Sequence, residues 1–469
     1  MEDQYSQAFS SQKSYKFKAR NSSASYRLGK LRKFKKLVIS KKEEIASALS
    51  KDFHKPLVET DLTEIMPILS MINLLEKKLP LWMSDKKESS PLLFKGSKNW
   101  VRREGKGNCL ILSPWNYPFQ LAVYPVLTAF AAGNTCILKP SEFTPETNKI
   151  VIELLALVFT KDEVIVFEGD AEVSTELLKL PFDHIFFTGS TPVGKIVMKA
   201  ASKNLTSVAL ELGGKSPVFI DRKINLDKAA KKIMWGKFVN GGQTCVAPDY
   251  ILIHKNDEAE FVESCKKYIT EFYGDKIENS ADYNYIITDR HGDRLKKLVD
   301  QAVEAGANIE CGGEYFSDKR LLTPTLLTKV NKEMDVMQDE IFGPVLPIIN
   351  YSSQDEAIDF INDYDNALAM YIFSDSKSTM NTLMERTSNG GVTINDVLLA
   401  VGHPTLPFGG AGKSGLGRYH GEYGFEDFSH LRSVMRRDID LGTSYFYPPY
   451  TDKKAGIVNS LLEKFSSLF

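Results

Sequence analysis

Residues 108–118 read NCLILSPWNYP, and residues 135–139 read TCILK. Each segment opens with an apolar run of the length of a buried strand. After the second run, Thr144 is a candidate helix N-cap, Pro145 suits the first turn, and Glu146 suits the positive end of the helix dipole. This order of strand, loop and helix predicts βαβ units, in which right-handed crossovers connect parallel strands.

The same alternation continues along most of the chain. A first set of strands is expected at Asn108–Leu112, Thr135–Leu138, Val164–Phe167 and His184–Phe187. A second set is expected at Ser216–Ile220, Tyr250–His254, Val345–Ile349, Ala369–Phe373 and Val392–Ile394. A helix is expected over Leu226–Val239, and Ser353 with Glu356 forms a candidate capping box. The sequence therefore predicts two α/β domains in tandem that meet near Glu211, and ligand sites in such folds gather at strand ends and between domains.

The region before these strands has a helical pattern. Residues 25–80 are rich in Lys, Leu and Glu, and apolar side chains recur at helical spacing at Leu28, Leu31, Phe34, Val38, Ile45 and Leu49. This spacing predicts an N-terminal helical hairpin.

The composition is that of an ordinary globular protein. The length of 469 residues suggests two or three domains, and 59 basic side chains nearly balance 60 acidic ones, so no excess charge attracts nucleic acid. The five cysteines are widely spaced and lack metal-binding partners, which indicates a reducing compartment and no metal site. A polar N-terminus and the lack of a long uncharged apolar stretch predict a cytoplasmic protein without a transmembrane span.

Three loops at predicted strand ends are candidate cofactor or substrate sites. In residues 112–118 two prolines would hold Asn116 rigidly. Residues 139–142 offer a cation, a hydroxyl and a carboxylate, which suit the hydroxyl groups of a ribose. Residues 187–194 open a helix with glycines that let backbone N–H groups approach a phosphate, although the spacing is neither GxGxxG nor a P-loop and an ordinary helix-start turn is the alternative.

The fourth loop, residues 240–248, reads NGGQTCVAP and offers the strongest chemistry. Its glycines and polar side chains give a flexible approach to the sulfur of Cys245, whereas Cys109 and Cys136 lie inside apolar strand patterns and are expected to be inert. Glu211 ends another apolar run and precedes two glycines. Burial there would raise its pKa towards the range of a general base, and a salt-bridged glutamate at a strand end is the alternative.

Together these segments resemble the aldehyde dehydrogenase superfamily. The matching motifs follow the family's order between about residues 20 and 440: Pro114–Pro118, Lys139–Glu142, Phe187–Ser190, Glu211–Lys215, Gly242–Cys245, Glu340–Pro344 and Leu406–Gly410. The segments WGKF at 235–238, VAPDY at 246–250 and YHG at 419–421 are similar to the class-three branch, which includes fatty aldehyde dehydrogenases. The resemblance implies an α/β fold with a Rossmann-like cofactor domain, an α/β catalytic domain and a small β oligomerisation element.

The resemblance also implies NAD(P)-dependent oxidation of aldehydes, either medium- or long-chain aliphatic or aromatic, to carboxylic acids. Cys245 would attack the carbonyl carbon, Asn116 and the Cys245 N–H would bind the oxyanion, and Glu211 would activate water to hydrolyse the thioester. NAD is the expected cofactor, because a carboxylate near the ribose repels a 2′-phosphate, and NADP is the alternative. The implied cofactor-binding residues are Trp115, Lys139, Ser141, Glu142, Gly189, Ser190, Gly194, Leu212, Glu340 and Phe342.

The implied domain boundaries are residues 1–79 and 104–210 for the NAD(P)-binding domain, 211–415 for the catalytic domain, and 80–103 and 416–440 for the oligomerisation element. That last element implies a homodimer.

The tail, residues 441–469, carries Ile457, Leu461, Phe465 and Leu468 at helical spacing, which predicts a helix over 455–469. It would pack against its own subunit or the partner, act as a lid over the substrate entrance as in fatty aldehyde dehydrogenases, or lie on a membrane surface.

Three other functions compete with this interpretation. An acyl-CoA-forming relative would pass the thioester to coenzyme A and would not need a base for water, so Glu211 favours hydrolysis. A non-enzymatic scaffold would tolerate the loss of Cys245 or Asn116, and both are present. Reduction of acyl phosphates fits the quoted motifs less well.

Overall fold

The computed structural model describes residues 3–91, 94–439, 445 and 447–466. The chain divides into two structural units, residues 1–82 with 105–429 and residues 83–104 with 430–469. The first unit contains both large β-sheets and every residue that the sequence assigns to catalysis or cofactor binding.

The described α-helices are α1 (Gln4–Arg20), α2 (Ala24–Ser40), α3 (Lys42–Phe53), α4 (Leu57–Thr60), α5 (Met66–Trp82), α6 (Gln120–Ala132), α7 (Pro145–Val158), α8 (Ala171–Leu177), α9 (Thr191–Ser202), α10 (Leu226–Phe238), α11 (Glu258–Tyr273), α12 (Asp289–Glu304), α13 (Gln354–Asn362), α14 (Lys377–Arg386), α15 (Gly421–Asp427) and α16 (Asp452–Ser466). A π-helical turn, Asp61–Ile65, connects α4 to α5.

The described strands are β1 (Lys86–Glu88), β2 (Ser97–Gly105), β3 (Asn108–Leu112), β4 (Thr135–Lys139), β5 (Val164–Val166), β6 (His184–Thr188), β7 (Ser207–Glu211), β8 (Pro217–Ile220), β9 (Tyr250–His254), β10 (Asn308–Cys311), β11 (Tyr315–Phe316), β12 (Leu321–Leu322), β13 (Thr325–Thr328), β14 (Val345–Tyr351), β15 (Ala369–Phe373), β16 (Gly391–Ile394), β17 (Gly415–Leu416) and β18 (Ser429–Arg437).

The first large sheet has the strand order β17-β7-β6-β3-β4-β5. Strands β3 to β7 are parallel, which confirms the prediction for β3 to β6, and β7 is an additional strand that was not predicted. Strand β17 adds an antiparallel edge next to β7. Leu112 at the end of β3 lies opposite Lys139 at the end of β4, and Thr188 on β6 lies opposite Glu211 on β7. The loops that follow these strands therefore start side by side at one edge of the sheet.

The second large sheet has the strand order β10-β13-β14-β9-β8-β15-β16. The five strands that the sequence predicts for it are confirmed, with end residues that differ by two positions at most. Strands β10 and β13, which have four residues each, were not predicted. Strand β10 lies at the sheet edge and runs antiparallel to β13. Runs of that length give too little periodicity to identify a strand.

The prediction of a helical hairpin over residues 25–80 was wrong in the number of helices. The chain forms α2, α3, the short α4, the π-helical turn and α5, and a further helix, α1, precedes them. The apolar positions that carried the prediction are all buried, but α2 ends at Ser40 without a glycine or proline to mark the break. Periodicity alone cannot reveal such a boundary.

Helix α7 is not capped by Thr144, which corrects a second expectation. The Asp52 carboxylate instead accepts hydrogen bonds from the backbone N–H groups of Glu146 (3.1 Å) and Thr147 (2.9 Å). The N-cap Ser353 of α13 does accept from the Glu356 N–H (3.2 Å). The Glu356 carboxylate accepts from the N–H of Ser352 at 2.8 Å, one residue before the position that a capping box requires.

The second unit contains a three-stranded sheet with the order β1-β2-β18, and the tail helix α16. The guanidinium of Arg102 on β2 forms a 2.9 Å ion pair with Asp85. Ile457, Leu461 and Phe465 of α16 are partly buried, and Leu468 lies outside the described residues. No helix within the described ranges is both long and apolar enough to cross a membrane.

Candidate active site

The loop that carries Cys245 begins with a sharp reversal at the end of α10. A 3₁₀ turn, Val239–Gly242, follows the helix, and Asn240, Gly241 and Gly242 have positive φ angles of 57°, 61° and 72°. A side chain at Gly242 would collide with the backbone of Gly343, so only glycine fits there. The turn leaves the thiol of Cys245 partly exposed, whereas Cys109 and Cys136 are buried.

Two amide side chains hold this loop from inside. The Gln243 side-chain amide donates to the carbonyls of Asn240 (3.0 Å) and Tyr285 (3.1 Å), and its oxygen accepts from the N–H of Ile287 (3.0 Å). The Asn240 side-chain amide donates to the carbonyls of Asn116 (2.8 Å) and Gln243 (3.1 Å). Since these groups are buried, their hydrogen bonds are shielded from water and hold the loop in place.

The first predicted loop lies against this cysteine loop. Asn116 follows β3 and is buried, and its carbonyl accepts the bond from Asn240 described above. The hydroxyls of Tyr117 and Thr244 are 2.7 Å apart. The structure therefore brings Asn116 and Cys245 into neighbouring loops although 129 residues separate them in the sequence.

Glu211 is the last residue of β7, where it is buried with both carboxylate oxygens free of hydrogen-bond partners from the described residues. This is not the salt-bridged environment that the sequence left as an alternative. Burial raises the pKa of Glu211 well above its usual value, against the opposing charge of Arg418. A Cβ added at Gly409 would lie 3.0 Å from the Glu211 carboxylate, so a larger residue there would press on it.

Several buried charges act on the thiol of Cys245. Burial raises the pKa of this thiol, and the carboxylates of Glu340 and Glu211 raise it further. Burial also raises the pKa of Glu340 to about 8, and it lowers the pKa of Lys237 to about 8. The resting site therefore favours a neutral thiol, which needs a base to accept its proton before it can act as a nucleophile.

The predicted ribose-binding residues lie together at the end of β4. The Lys139 ammonium is buried and forms a 3.0 Å ion pair with the exposed carboxylate of Glu142. Ser141 is also buried, and its carbonyl accepts a hydrogen bond from Asn148 of α7 (2.8 Å). A cation and a carboxylate therefore lie side by side at this strand end, and their role in ribose binding stays a prediction.

The predicted phosphate loop leads into α9, and its glycines pack too closely against neighbouring side chains to carry a side chain of their own. A Cβ added at Gly189 would lie 2.5 Å from the ring of Phe187, and one at Gly194 would lie 2.8 Å from Leu212. Ser190 is the N-cap residue, but its side chain does not cap the helix. The first N–H groups of α9 therefore fit an anionic group such as the pyrophosphate of a dinucleotide.

Trp115 and Phe342 also meet, with ring centroids 5.2 Å apart in a T-shaped arrangement. The ring of His291 also contacts Trp115, with a distance of 5.4 Å between the ring centroids. No role was predicted for His291. Glu340 lies against Gly213, where any side chain would collide with its carboxylate. Glu340 is therefore close to the segment that directly follows Glu211.

The sequence matches the aldehyde dehydrogenase family over residues 1–434. The chain belongs to this family. It is 43% identical over 429 residues to the 4,4′-diaponeurosporen-aldehyde dehydrogenase of Staphylococcus aureus (strain NCTC 8325 / PS 47), with 92% of this chain and 93% of the relative covered. It is 41% identical over 429 residues to a rat enzyme named aldehyde dehydrogenase, dimeric NADP-preferring, a class-three member, with 91% and 94% covered.

The solved structures include a substrate-bound state of Staphylococcus aureus AldH. It matches with a TM-score of 0.94 and 40% identity over 98% of this chain and 100% of that one. These likenesses confirm the aldehyde dehydrogenase fold, the class-three resemblance and an oxidoreductase that acts on aldehydes.

The residues whose hydrogen bonds hold the cysteine loop were not predicted from the sequence. Asn240 and Gln243 belong to the quoted cysteine loop, but their partners Asn116, Tyr285 and Ile287 are distant in the sequence. The sequence did offer a signal for these residues. Asn240 and Gln243 are two amide side chains close to a candidate nucleophile, and buried amides need hydrogen-bond partners.

Proposed function

We propose that this aldehyde dehydrogenase oxidises aldehydes to carboxylic acids through a thioester on Cys245, with NAD(P) as the oxidant. One observation carries the proposal: the partly exposed residue Cys245 lies in a loop that is hydrogen-bonded to Asn116, and near it is the buried carboxyl of Glu211, which has no hydrogen-bond partner among the described residues. These are a nucleophile, an oxyanion donor and a base in one site.

The reaction would start when Glu211 or a water accepts the thiol proton of Cys245. The sulfur then bonds to the carbonyl carbon, and the oxygen takes up the electron pair as an oxyanion held by the Asn116 amide and the Cys245 N–H. When bound, the nicotinamide supplies the acceptor for the hydride that leaves this carbon. After any proton taken from the thiol has been released to solvent, Glu211 accepts a proton from water, the hydroxide attacks the thioester carbon, and the Cys245 thiolate leaves as the carboxylic acid forms.

We propose the cofactor to be held by Lys139, Ser141 and Glu142 at the adenosine ribose and by Gly189, Ser190, Gly194 and Leu212 around the pyrophosphate. Trp115, Glu340 and Phe342 would contact the nicotinamide riboside. The exposed carboxylate of Glu142 favours NAD, since it repels a 2′-phosphate, and a relative at 41% identity is named NADP-preferring.

The choice between the two cofactors is tested with Glu142→Gln. Removal of the negative charge should shift the ratio of kcat/KM for NAD over NADP towards NADP by about tenfold, the worth of one close charge contact. Glu146→Gln, on the first turn of α7, is the matched control and should leave the ratio unchanged. If the ratio of kcat/KM for NAD over NADP is the same in both variants, Glu142 does not determine the choice of cofactor.

We propose medium- or long-chain aliphatic or aromatic aldehydes as substrates, and a homodimer as the assembly. The aromatic ring of Tyr117 beside Thr244 offers an apolar surface near Cys245, and one relative is named for a diaponeurosporen aldehyde. A related enzyme is named dimeric. The three strands of the β1-β2-β18 sheet come from the two segments assigned to subunit pairing.

The thioester mechanism is tested with Cys245→Ala. NADH formation from a panel of aldehydes should fall to background, while binding of NAD, measured by calorimetry, should be nearly unchanged because the sulfur bonds to the substrate. Cys311→Ala removes the other partly exposed thiol and should remain active. Turnover near wild type in Cys245→Ala would refute the mechanism, and a rate that depends on added coenzyme A would indicate an acyl-CoA-forming enzyme.

A further inference from the structure

Behind the cysteine loop lies a carboxylate that the reaction described above does not use. Glu59 belongs to the short helix α4, directly before the π-helical turn, and is only partly exposed. The side-chain amide of Asn284 donates a hydrogen bond to it at 3.2 Å, and the backbone N–H of Asn240 stabilises its ionised form. One carboxylate therefore joins α4, the cysteine loop and the segment that begins at Asn284.

Asn240 makes this junction relevant to the chemistry. Its side chain holds both Asn116 (2.8 Å) and Gln243 (3.1 Å), so a shift of Asn240 would move the oxyanion donor and the cysteine loop together. Its φ angle of 57° is uncommon outside glycine, although asparagine adopts it more readily than most residues. The contacts around Asn240 help to hold this conformation, and Glu59 supplies one of them.

The surroundings of Glu59 contain one cation and one further carboxylate. Lys55 and Glu64 are fully buried and form a 2.6 Å ion pair, and the Lys55 ammonium lies 4.2 Å from the ring centre of Tyr117. Burial raises the pKa of Tyr117, and also that of Tyr273, so both phenols stay neutral.

The charge of Glu59 itself is sensitive to pH in the neutral range. Burial raises its pKa to about 7, while Lys55, the Asn240 N–H and Asn284 oppose this rise and Glu64 adds to it. The ionised form accepts from both donors. The protonated form has only one free acceptor oxygen and is a weaker acceptor for these two donors.

We propose that Glu59 is a positioning residue for aldehyde oxidation, whose ionised carboxylate fixes Asn240 and thereby sets Asn116 against Cys245. It touches neither the substrate nor any residue assigned to the cofactor. Loss of its charge loosens the geometry of nucleophile and oxyanion donor without removing either group, and rates depend steeply on that geometry. The inference rests on the proposed role of Cys245.

The experiment compares wild type with Glu59→Gln between about pH 6 and pH 9, through steady-state kinetics and the NADH burst of a single turnover. Glutamine has the shape of the protonated acid but cannot ionise. The two proteins should have equal kcat/KM for the aldehyde near pH 6, and wild type should gain an advantage of about tenfold above pH 8, the value of one charge-assisted hydrogen bond. The KM for NAD should not change.

Two further variants complete the design. Glu44→Gln makes the same change at an exposed carboxylate of α3 and should follow wild type at every pH. Asn284→Ala removes a donor that lowers the pKa of Glu59, so the midpoint of the pH-dependent advantage over Glu59→Gln should move to higher pH. Burst amplitude counts active sites, so partial unfolding cannot imitate either result.

A ratio of wild type to Glu59→Gln that is constant across this pH range would overturn the inference, whatever the thermal stability of the variant. A burst rate that is equal in both proteins above pH 8 would also overturn it. Failure of the proposed function has a different signature, because Cys245→Ala would then remain active while the Glu59 variants could still differ from wild type.

Discussion

Glu211 has to lose a proton in order to activate water, and this requirement separates the two halves of the reaction. In Glu211→Gln, hydride transfer can still follow the attack of Cys245, but the thioester is not hydrolysed. Rapid mixing with saturating NAD and aldehyde should show one NADH per site and then a steady rate at least about 100-fold below wild type. If Glu211 is also the base that ionises Cys245, the burst itself will slow.

The same carboxyl is expected to reduce stability, in a direction fixed by its pKa. Because folding raises the pKa of Glu211 above its ordinary 4.5, its contribution to stability is fully present below pH 4.5 and is lost as the pH rises towards the folded value. The Glu211→Gln variant does not lose stability in this way, because glutamine does not ionise. Its free energy of unfolding should exceed that of wild type by about 1–3 kcal/mol at pH 8, with little difference near pH 4.5.

Denaturant unfolding at the two pH values measures this difference. Glu44→Gln, at an exposed position, should show none. A wild-type protein whose stability relative to Glu211→Gln does not change with pH would mean that Glu211 is ionised and solvated in the folded state.

For individual residues, the sequence predicted the proposed reacting groups better than the residues that position them. Cys245, Asn116 and Glu211 stand out because each residue type is unusual in its local pattern, and the structure gathers the loops that carry them. Asn240 and Gln243 are tied to the rest of the site by contacts with residues more than 40 positions away. Local patterns contain no information about such partners.

At the scale of elements, the glycine loop before α9 depends on space, not on an unusual backbone angle. In Gly189→Ala the added carbon would lie 2.5 Å from the buried ring of Phe187, which cannot move freely. The loop would shift away from α9, and the KM for NAD should rise by about tenfold, equivalent to one lost phosphate contact. Steady-state kinetics with NAD as the varied substrate measures the change.

Gly29→Ala is the matched control for that substitution. Gly29 lies in the middle of α2 with no atom within 4 Å of an added Cβ, so alanine should stabilise the helix by about 0.5–1 kcal/mol and leave the KM for NAD unchanged. An unchanged KM in Gly189→Ala would show that α9 does not bind the pyrophosphate.

Strands were predicted more accurately than helix ends, for a physical reason. A central parallel strand such as β3 is buried at every position and appears as an unbroken apolar run between turn residues. The N-terminus of α7 is satisfied by Asp52, a residue 92 positions before Thr144, and the helices after residue 24 change direction without a local signal. Such boundaries are set by tertiary contacts.

At the scale of the molecule, the site is completed by a late return of the chain. After the second sheet has formed, β17 pairs with β7, and Gly415 lies opposite Glu211. Burial raises the pKa of Tyr419, and Glu211 and Cys245 are close enough to raise it further. A two-residue strand has no recognisable sequence pattern, so this part of the site could not be predicted. The pairing makes the active site depend on a contact between residues 204 positions apart.

The tail helix α16 allows the last prediction, which concerns substrate size. Ile457, Leu461 and Phe465 share one face of this helix at four-residue steps, and none of them is fully buried within the second unit. We propose that this face contributes to a lid that favours long aldehydes, since each buried methylene contributes about 0.8 kcal/mol. Deletion of residues 452–469 should lower kcat/KM for a long aldehyde relative to a short one by about tenfold, while the NADH burst with the short aldehyde persists.

Point variants distinguish an effect of the apolar face of α16 from an effect of the helix as a whole. Leu461→Glu should reproduce the altered ratio, because a charge on this face opposes contact with an alkyl chain, whereas Ser460→Glu on an exposed position should not. Light scattering should give twice the 52.7 kDa chain mass for every variant, so that a change in selectivity is not a change in assembly. An unaltered ratio in a truncated protein of that mass would mean that α16 only packs against protein, and a ratio that changes only when lipid vesicles are present would assign the helix to a membrane surface.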